Sequence, residues 1–162
     1  MSKLHPGVKW DFRLGCHLLL GFVEIVLGLS FLAPLFAHVS RTSISYIIII
    51  YIFSSIISNI VISEIYTVLS YNAWFYELTE DGIKIERGII WKKYSYVPYE
   101  RIQNVDISRG ILARMLSFSK IIIQTAGYSG YQNAEGNIPA VDVKKADEIR
   151  DFIMDKISKK KK

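Results

Sequence analysis

Two apolar runs near the N-terminus constrain the fold more than any other feature of this chain. The first extends from Leu14 to Ala37 and the second from Ile44 to about Leu69. Each is about as long as the ~20 apolar residues that an α-helix needs to cross the hydrocarbon core of a bilayer. Only the polar step His38 to Ser43 separates them. The runs therefore predict an antiparallel membrane-spanning helical hairpin, with the rest of the chain on the same side as the N-terminus.

The basic residues that flank the runs predict the orientation of the hairpin. Lys3, Lys9 and Arg13 precede the first run, whereas the turn between the runs carries only Arg41. Loops rich in Lys and Arg remain in the cytoplasm. We therefore expect a two-span protein of the cell membrane with both termini cytoplasmic.

The first run does not fit a cleaved signal peptide. It is longer than the apolar core of such a peptide, and Leu35 stands before Ala37 where a small residue is needed. Cys16 is the only cysteine, so the chain cannot form an internal disulfide. The cysteine content therefore does not indicate an oxidising or a reducing compartment.

Small and polar residues share one face of each predicted span. They recur every three or four positions, a spacing that places them on one side of a helix: His17, Gly21, Glu24 and Gly28 in the first span, and Ser55, Asn59 and Ser63, with Ser58 alongside, in the second. Such residues allow helices to approach closely and to hydrogen-bond with each other. Glu64 is expected to meet Lys9 or Arg13 near the cytoplasmic end.

Glu24 is the polar residue of greatest interest, because an ionisable group at this depth is by default a candidate for function, for example in transport. In an antiparallel hairpin it lies at the level of Ser55 to Asn59. The alternative is that Glu24 only fastens the two helices together. We favour packing, because the sequence offers no second buried charge to complete a proton relay.

After Leu69 the pattern changes to alternation, which predicts antiparallel strands. The predicted strands are a hairpin over 75–86 with a turn at Asp81-Gly82, then 90–97, 102–107, 120–125 and 137–141, with a short helical turn at 111–116 and a loop over 127–136. Asp142 is a candidate N-cap for a closing helix. The apolar stripe of that helix comprises Val143, Ala146, Ile149, Ile153 and Ile157.

The charge of the soluble part argues against nucleic acid as a partner. Residues 71–162 contain sixteen Lys and Arg against twelve Asp and Glu, and the tail alone supplies the surplus: Lys159, Lys160, Lys161 and Lys162. A nucleic-acid groove needs basic residues clustered on a folded face. We expect the tail to be disordered and solvated, either without a role or in contact with anionic lipid headgroups.

The soluble part also lacks the residues of common catalytic and metal sites. Residues 71–162 contain no His and no Cys, which removes Ser-His and Cys-His nucleophiles and the usual zinc sites. Asp147, Asp151 and Asp155 lie four residues apart on the closing helix. A solvated face explains them better than a cation site, because oxygen ligands usually come from a loop that wraps the ion. We expect no enzyme activity, no cofactor and no metal.

Several segments, in this order, resemble the bacterial pleckstrin-homology (PH) domains of YdbS-like membrane proteins. The similar segments are His5-Pro6, the run from Tyr76 to Gly82, Arg87-Gly88, Val97-Pro98, the run from Arg101 to Asp106, the run from Gly110 to Leu116, and Thr125-Ala126-Gly127. Ser117 departs from the pattern, since many relatives have glycine there. The resemblance implies a transmembrane hairpin followed by an α+β PH-like domain, an antiparallel β-sandwich or barrel capped by a C-terminal α-helix. It also implies no established enzyme activity and a membrane partner, often a larger protein with several such domains.

Five polar residues lie in or near the predicted strand 102–107: Arg101, Gln103, Asp106, Arg109 and Arg114. Their roles have two interpretations. In the favoured one they are structural, with Arg114 reaching Asp106 or Glu100 to fix the corner between strand and helix. In the other, Arg101, Gln103, Arg109 and Arg114 form a recognition surface.

Together these observations predict four segments: a cytoplasmic segment over 1–13, the hairpin over 14–69, the PH-like domain over 70–157 and a polybasic tail over 158–162. The favoured function is a non-catalytic interaction or assembly module, as a homo-oligomer or with a larger PH-domain membrane relative. The alternatives are a module that binds anionic membrane lipid and an accessory subunit of a transport or export system built around Glu24.

Overall fold

A computed structural model describes residues 2–35, 40–125 and 136–160 of the chain. The expected loop over 127–136 lies outside the described residues except for Gly136, and so do Lys161, Lys162 and part of the turn between the spans. The chain divides into two compact units. One contains residues up to Asp11 and from Leu69 onward, and the other contains Phe12–Val68.

The unit Phe12–Val68 consists of most of two long apolar helices. Helix α1 comprises Val8–Leu35 and helix α2 comprises Arg41–Asn72. Each of their spans, Val8–Pro34 and Thr42–Asn72, contains an 18-residue stretch with a mean hydropathy of 2.1 and is long enough to cross a bilayer. Both helices begin before the predicted apolar runs, because hydropathy marks the part in hydrocarbon whereas helical hydrogen bonding continues into the polar flanks.

The other unit contains two antiparallel sheets and a closing helix, as expected for a PH-like domain. The first sheet has the order β1-β2-β3-β4 and the second β5-β6-β7. The strands are β1 Ser2–Lys3, β2 Phe75–Leu78, β3 Gly82–Arg87, β4 Lys93–Pro98, β5 Ile102–Ser108, β6 Phe118–Thr125 and β7 Gly136–Asp142. Helix α3 comprises Ile111–Met115, and α4 comprises Val143–Lys160 and packs against all three strands of the second sheet.

The core of this unit has the composition that the alternation predicted. Interior residues of both sheets and the middle of the α4 stripe are at most 5% exposed: Ile83, Ile85, Val97, Ile102, Val105, Ile121, Ile123, Ile138, Ala146, Ile149 and Ile153. The backbone N–H of Lys144 donates to Asp142 Oδ1 over 3.0 Å. Asp142 is therefore the N-cap of α4, as its place before the apolar stripe indicated.

The segment before α1 is built into the domain, which differs from the expected separate segment over 1–13. Ser2 pairs with Tyr76 of β2, and the backbone N–H of His5 donates to the carbonyl of Ala140 in β7 over 3.0 Å. Leu4 and Val8 are only 3% and 1% exposed. A strand of two residues is too short to show alternation, so no local pattern marks it.

The His5-Pro6 motif has a structural explanation. The Nδ1 atom of His5 accepts a hydrogen bond from the backbone N–H of Gly7 over 3.1 Å. The imidazole stacks on Phe118 of β6 with 6.0 Å between ring centroids. A Cβ atom on Gly7 would lie 2.8 Å from the Phe118 ring. The motif therefore closes the chain onto the second sheet immediately before α1 begins.

Two turns differ from the predicted boundaries. The first hairpin turns at Glu80 and Asp81, because the Thr79 N–H donates to the Gly82 carbonyl over 2.9 Å and the Gly82 N–H donates to Thr79 Oγ1 over 3.2 Å. The third strand of the predicted set begins at Lys93 and not at Ile90. Gly88 has a φ of +112°, which ends β3 and places Ile90 in a turn.

Ser117 takes the backbone conformation that the resemblance associates with glycine. Its φ of +56° makes it the one non-glycine residue with a positive φ among the described residues. A side chain in this left-handed region costs roughly 1–2 kcal/mol relative to a right-handed conformation. The substitution therefore leaves the turn between α3 and β6 intact at a cost in backbone strain.

Candidate functional site

The hairpin contains a cluster of hydrogen-bonded polar side chains, which we call the hairpin cluster: His17, Glu24, Ser55, Ser58, Asn59 and Ser63. The Glu24 carboxylate accepts three hydrogen bonds from α2. Ser55 Oγ donates to Oε2 over 2.6 Å, Ser58 Oγ donates to Oε1 over 3.1 Å, and Asn59 Nδ2 donates to Oε2 over 3.3 Å. The helical spacing in the sequence predicted this meeting of Glu24 with the Ser55–Asn59 region.

His17 belongs to the same cluster through Asn59. Its Nδ1 lies 2.5 Å from Asn59 Oδ1, and its Nε2 lies 3.0 Å from Ser63 Oγ. Because Asn59 Oδ1 can only accept, His17 Nδ1 carries a hydrogen in this arrangement. The side-chain amide of Asn59 thus links these two groups. Its Oδ1 accepts from the His17 imidazole, and its Nδ2 donates to the Glu24 carboxylate.

The link through Asn59 places His17 close to Glu24. The expectation that Glu24 serves packing stays a prediction. His17 is a second titratable side chain, and a single amide separates it from Glu24. Glu24 follows His17 by seven positions, about two helical turns, a spacing that could have suggested the connection.

Further contacts between α1 and α2 lie beside the hairpin cluster. Arg13 forms an ion pair with Glu64, with 2.7 Å between Nε and Oε1, which confirms one of the two expected partners of Glu64. Tyr51 donates from its hydroxyl to the backbone carbonyl of Glu24 over 2.5 Å. Gly28 makes room for this tyrosine, since a Cβ atom there would lie 2.8 Å from its ring.

The two helices alone do not enclose the hairpin cluster. His17, Glu24 and Asn59 are each only half-buried in the structure. A shallow groove opens beside Glu24, and its lining is mostly apolar: Gly21, Ile25, Tyr51, Ile52, Ser55 and Ile56. In the hydrocarbon region, polar side chains nearly always face protein or a water-filled cavity. The open side of the cluster is therefore a surface that another membrane segment can cover.

The polar residues around β5 lie mostly on the surface. Arg101, Gln103, Arg109 and Arg114 are exposed, and Asp106 is half-buried. The carboxylate of Asp106 is held by amides, since Oδ1 accepts from Asn104 Nδ2 over 2.8 Å and Oδ2 accepts from Gln124 Nε2 over 2.6 Å. The expected pairing with Arg114 is thus not what holds this carboxylate. A recognition role of the exposed residues stays a prediction.

The acidic face of α4 is paired with basic side chains of the same helix. Arg150 lies 3.4 Å from Asp147 and 3.0 Å from Asp151, and Lys159 Nζ lies 2.6 Å from Asp155 Oδ2. These exposed pairs fit the solvated face that the spacing indicated. Within the described ranges, no group of three or more His, Cys, Asp or Glu residues could hold a metal ion.

The basic end of the chain is helical as far as it is described. Helix α4 extends to Lys160, so residues 158–160 are not the disordered tail that the charge run predicted. Intrahelical pairs such as that of Lys159 with Asp155 stabilise a last turn of this kind. Lys161 and Lys162 lie outside the described residues.

Sequence reasoning missed two apolar surfaces of the first sheet. Ile90 and Trp91, in the turn between β3 and β4, are 80% and 86% exposed. A groove on the sheet surface is lined by side chains that include Phe75, Tyr94 and Tyr96. The run Ile89-Ile90-Trp91 before two lysines was the available signal, but the predicted strand over 90–97 includes Ile90 and Trp91, and alternate side chains of a strand are expected to be buried.

Comparisons with known proteins agree with this architecture. A family model described as "Bacterial PH domain" matches residues 18–157. The chain is 30% identical over 104 residues to the UPF0699 transmembrane protein YdbS of Bacillus subtilis (strain 168), covering 64% of this chain and 59% of that protein. It is 28% identical over 90 residues to YdbT of the same organism, covering 56% of this chain and 18% of that protein. The chain thus spans less than two thirds of either relative, and no solved structure gives a significant match.

Proposed function

The chain belongs to the bacterial PH domain family, and from that premise we propose that it is a non-catalytic assembly module anchored in the membrane. Its hairpin associates with the membrane spans of a second copy or of a larger PH-domain relative. The observation that carries the proposal is the half-buried hairpin cluster, whose polar side chains the two helices leave partly uncovered. The length of YdbT, of which the 90 matched residues are only 18%, shows that larger relatives exist.

The physical argument concerns the environment of the hairpin cluster. A carboxylate, an imidazole and an amide in hydrocarbon are costly unless they contact protein or water. The apolar groove beside Glu24 offers a third helix both dispersion contacts and access to the polar groups. Small residues and interhelical hydrogen bonds are the usual basis of association between membrane helices. The open side of the cluster therefore supports association.

Cysteine crosslinking in native membranes tests this association. In a Cys16→Ser background, Ile25→Cys places a thiol in the groove, and Val23→Cys, two residues earlier, places one on the opposite side of α1. We expect a thiol-specific crosslinker to give a discrete larger adduct at Ile25 and much less at Val23. An adduct of twice the mass identifies a second copy, whereas a heavier one identifies a relative. Equal adducts at the two positions, or none at either, would contradict the proposal.

The Glu24 side chain should contribute to the assembly by packing. Glu24→Gln keeps hydrogen-bonding capacity and is expected to leave the crosslinked adduct and the protein level unchanged. Glu24→Leu should weaken the adduct, since intramembrane hydrogen bonds contribute about 0.6–2 kcal/mol. A proton flux that depends on Glu24 would instead support the alternative of a transport accessory subunit.

We propose that both termini are cytoplasmic, so that the PH domain lies on that side of the membrane. The support is the pair of spans together with the excess of Lys3, Lys9 and Arg13 over Arg41. In a Cys16→Ser background, a membrane-impermeant maleimide should label Ser40→Cys but not Glu80→Cys in intact cells. The reverse labelling would show the opposite orientation.

A further inference from the structure

The turn between β3 and β4 holds two large apolar side chains away from the domain. Gly88 has a φ of +112°, and a Cβ atom there would lie 2.0 Å from the carbonyl oxygen of Trp91. The turn is therefore tight in a way that only glycine permits. At its tip, Ile90 and Trp91 are 80% and 86% exposed. We call residues 88–92 the β3–β4 tip.

Strand register places the β3–β4 tip at the end of the sheet where the chain arrives from the membrane. Strand β2 begins at Phe75, three residues after α2 ends at Asn72. Phe75 pairs with Glu86, and Arg87 pairs with Lys93. The Arg87 guanidinium also lies 5.7 Å from the ring centre of Trp74, between α2 and β2. The tip thus extends from the end of the sheet that is connected directly to the second span.

Basic side chains surround the base of the tip. Arg87 and Lys93 flank it in sequence, Lys92 is its last residue, and Lys93 is exposed. Lys92 bonds to Glu86 over 2.9 Å, and this carboxylate raises the pKa of the ammonium group. Apolar and aromatic residues with adjacent lysines are typical of segments that lie in the interface of a bilayer. Basic residues near that surface are attracted to acidic headgroups.

The size of the tip favours lipid over a protein partner. A stable protein interface buries at least about 1,000 Å², whereas Ile90 and Trp91 form a projection of only two side chains. A bilayer interface requires no complementary pocket. Because the spans already hold the domain at a membrane, insertion is an intramolecular event that needs little affinity of its own.

We propose that Ile90 and Trp91 insert into the interfacial region of the same bilayer that α1 and α2 cross, with acidic lipid headgroups around Lys92 and Lys93. The insertion gives the domain a third point of attachment beside its links to α1 and α2, and thus a fixed orientation on the membrane. It does not depend on the assembly proposed above, because it involves lipid alone.

The test uses the full-length protein, one copy per lipid nanodisc, in a Cys16→Ser background. Ile90→Cys carries an environment-sensitive fluorophore, and Trp91→Cys serves as a second probe position. We expect a blue-shifted emission that nitroxide-labelled lipids quench several-fold more strongly than at Glu80→Cys, in the turn at the opposite end of the sheet. Quenching should be stronger in discs that contain phosphatidylglycerol than in phosphatidylcholine alone, and it should weaken as salt rises.

Other results overturn the proposal. Equal quenching at Ile90 and Glu80, or none at Ile90 and Trp91, would show that the tip does not enter the bilayer. Equal quenching in neutral and acidic discs would exclude the role of the acidic headgroups. A blue shift without nitroxide quenching, found only when a second copy or native membrane proteins are added, would assign the tip to a protein partner.

Discussion

Replacing Leu4 with alanine is expected to destabilise the PH domain by about 2–5 kcal/mol, the range for truncating a buried leucine. Leu4 is 3% exposed and follows directly on β1. Truncating its side chain leaves a cavity in the compact unit that joins residues up to Asp11 with the chain from Leu69 onward. Thermal unfolding of the full-length protein in mild detergent, monitored through the protease susceptibility of the domain, measures this loss of stability.

Leu18→Ala is the matched control for Leu4→Ala. It removes the same atoms from the same protein, but Leu18 is 75% exposed on the surface of α1. Substitutions at exposed positions usually change stability by less than about 0.5 kcal/mol. If the two variants unfold at the same temperature, the segment before α1 is not part of the core of the domain.

The contacts of residues 2–8 also decide how the domain can be studied. A fragment that begins at Tyr71 lacks β1, the buried side chains of Leu4 and Val8, and the backbone hydrogen bond from His5 to Ala140. We expect such a fragment to be much less stable than the same residues in the intact chain. Lipid binding by the domain or by its basic end is therefore best measured on the full-length protein.

Asn59→Leu is expected to weaken the helix pair by separating His17 from Glu24. It removes the hydrogen bonds to both His17 and Glu24 and leaves their polar atoms facing an apolar side chain. At about 0.6–1.7 kcal/mol for each intramembrane bond, the helix pair should lose roughly 1–3 kcal/mol. Denaturation of the membrane protein in mixed micelles measures this loss.

Two comparisons make the Asn59 experiment specific. Ser54→Ala is the control, because Ser54 Oγ donates only to the carbonyl of Tyr51 in its own helix, and it should change little. A double-mutant cycle of Asn59→Leu with His17→Leu should be non-additive, since both substitutions break the same link. Strictly additive effects would show that the amide does not couple His17 to the rest of the cluster.

Local patterns in the sequence determined the class of every element except β1. The two apolar runs predicted the spans, alternation predicted the strands, and the stripe from Ala146 to Ile157 predicted α4 with its cap at Asp142. Helix and strand periodicity are set by neighbours a few residues away, so a linear sequence displays them. The meeting of Glu24 with Ser55 and Asn59 could also be predicted, because an antiparallel hairpin fixes which depths coincide.

Only the tertiary structure decided which distant residues meet. The pairing of Ser2 with Tyr76, the stacking of His5 on Phe118 and the hydrogen bond from Gln124 to Asp106 join parts of the chain without a shared local pattern. The same holds for the exposure of Ile90 and Trp91, since an apolar run in sequence does not show whether a neighbouring element covers it. Contacts of this kind depend on how strands and helices are arranged in space, and side-chain periodicity records only which face of its own element a residue occupies.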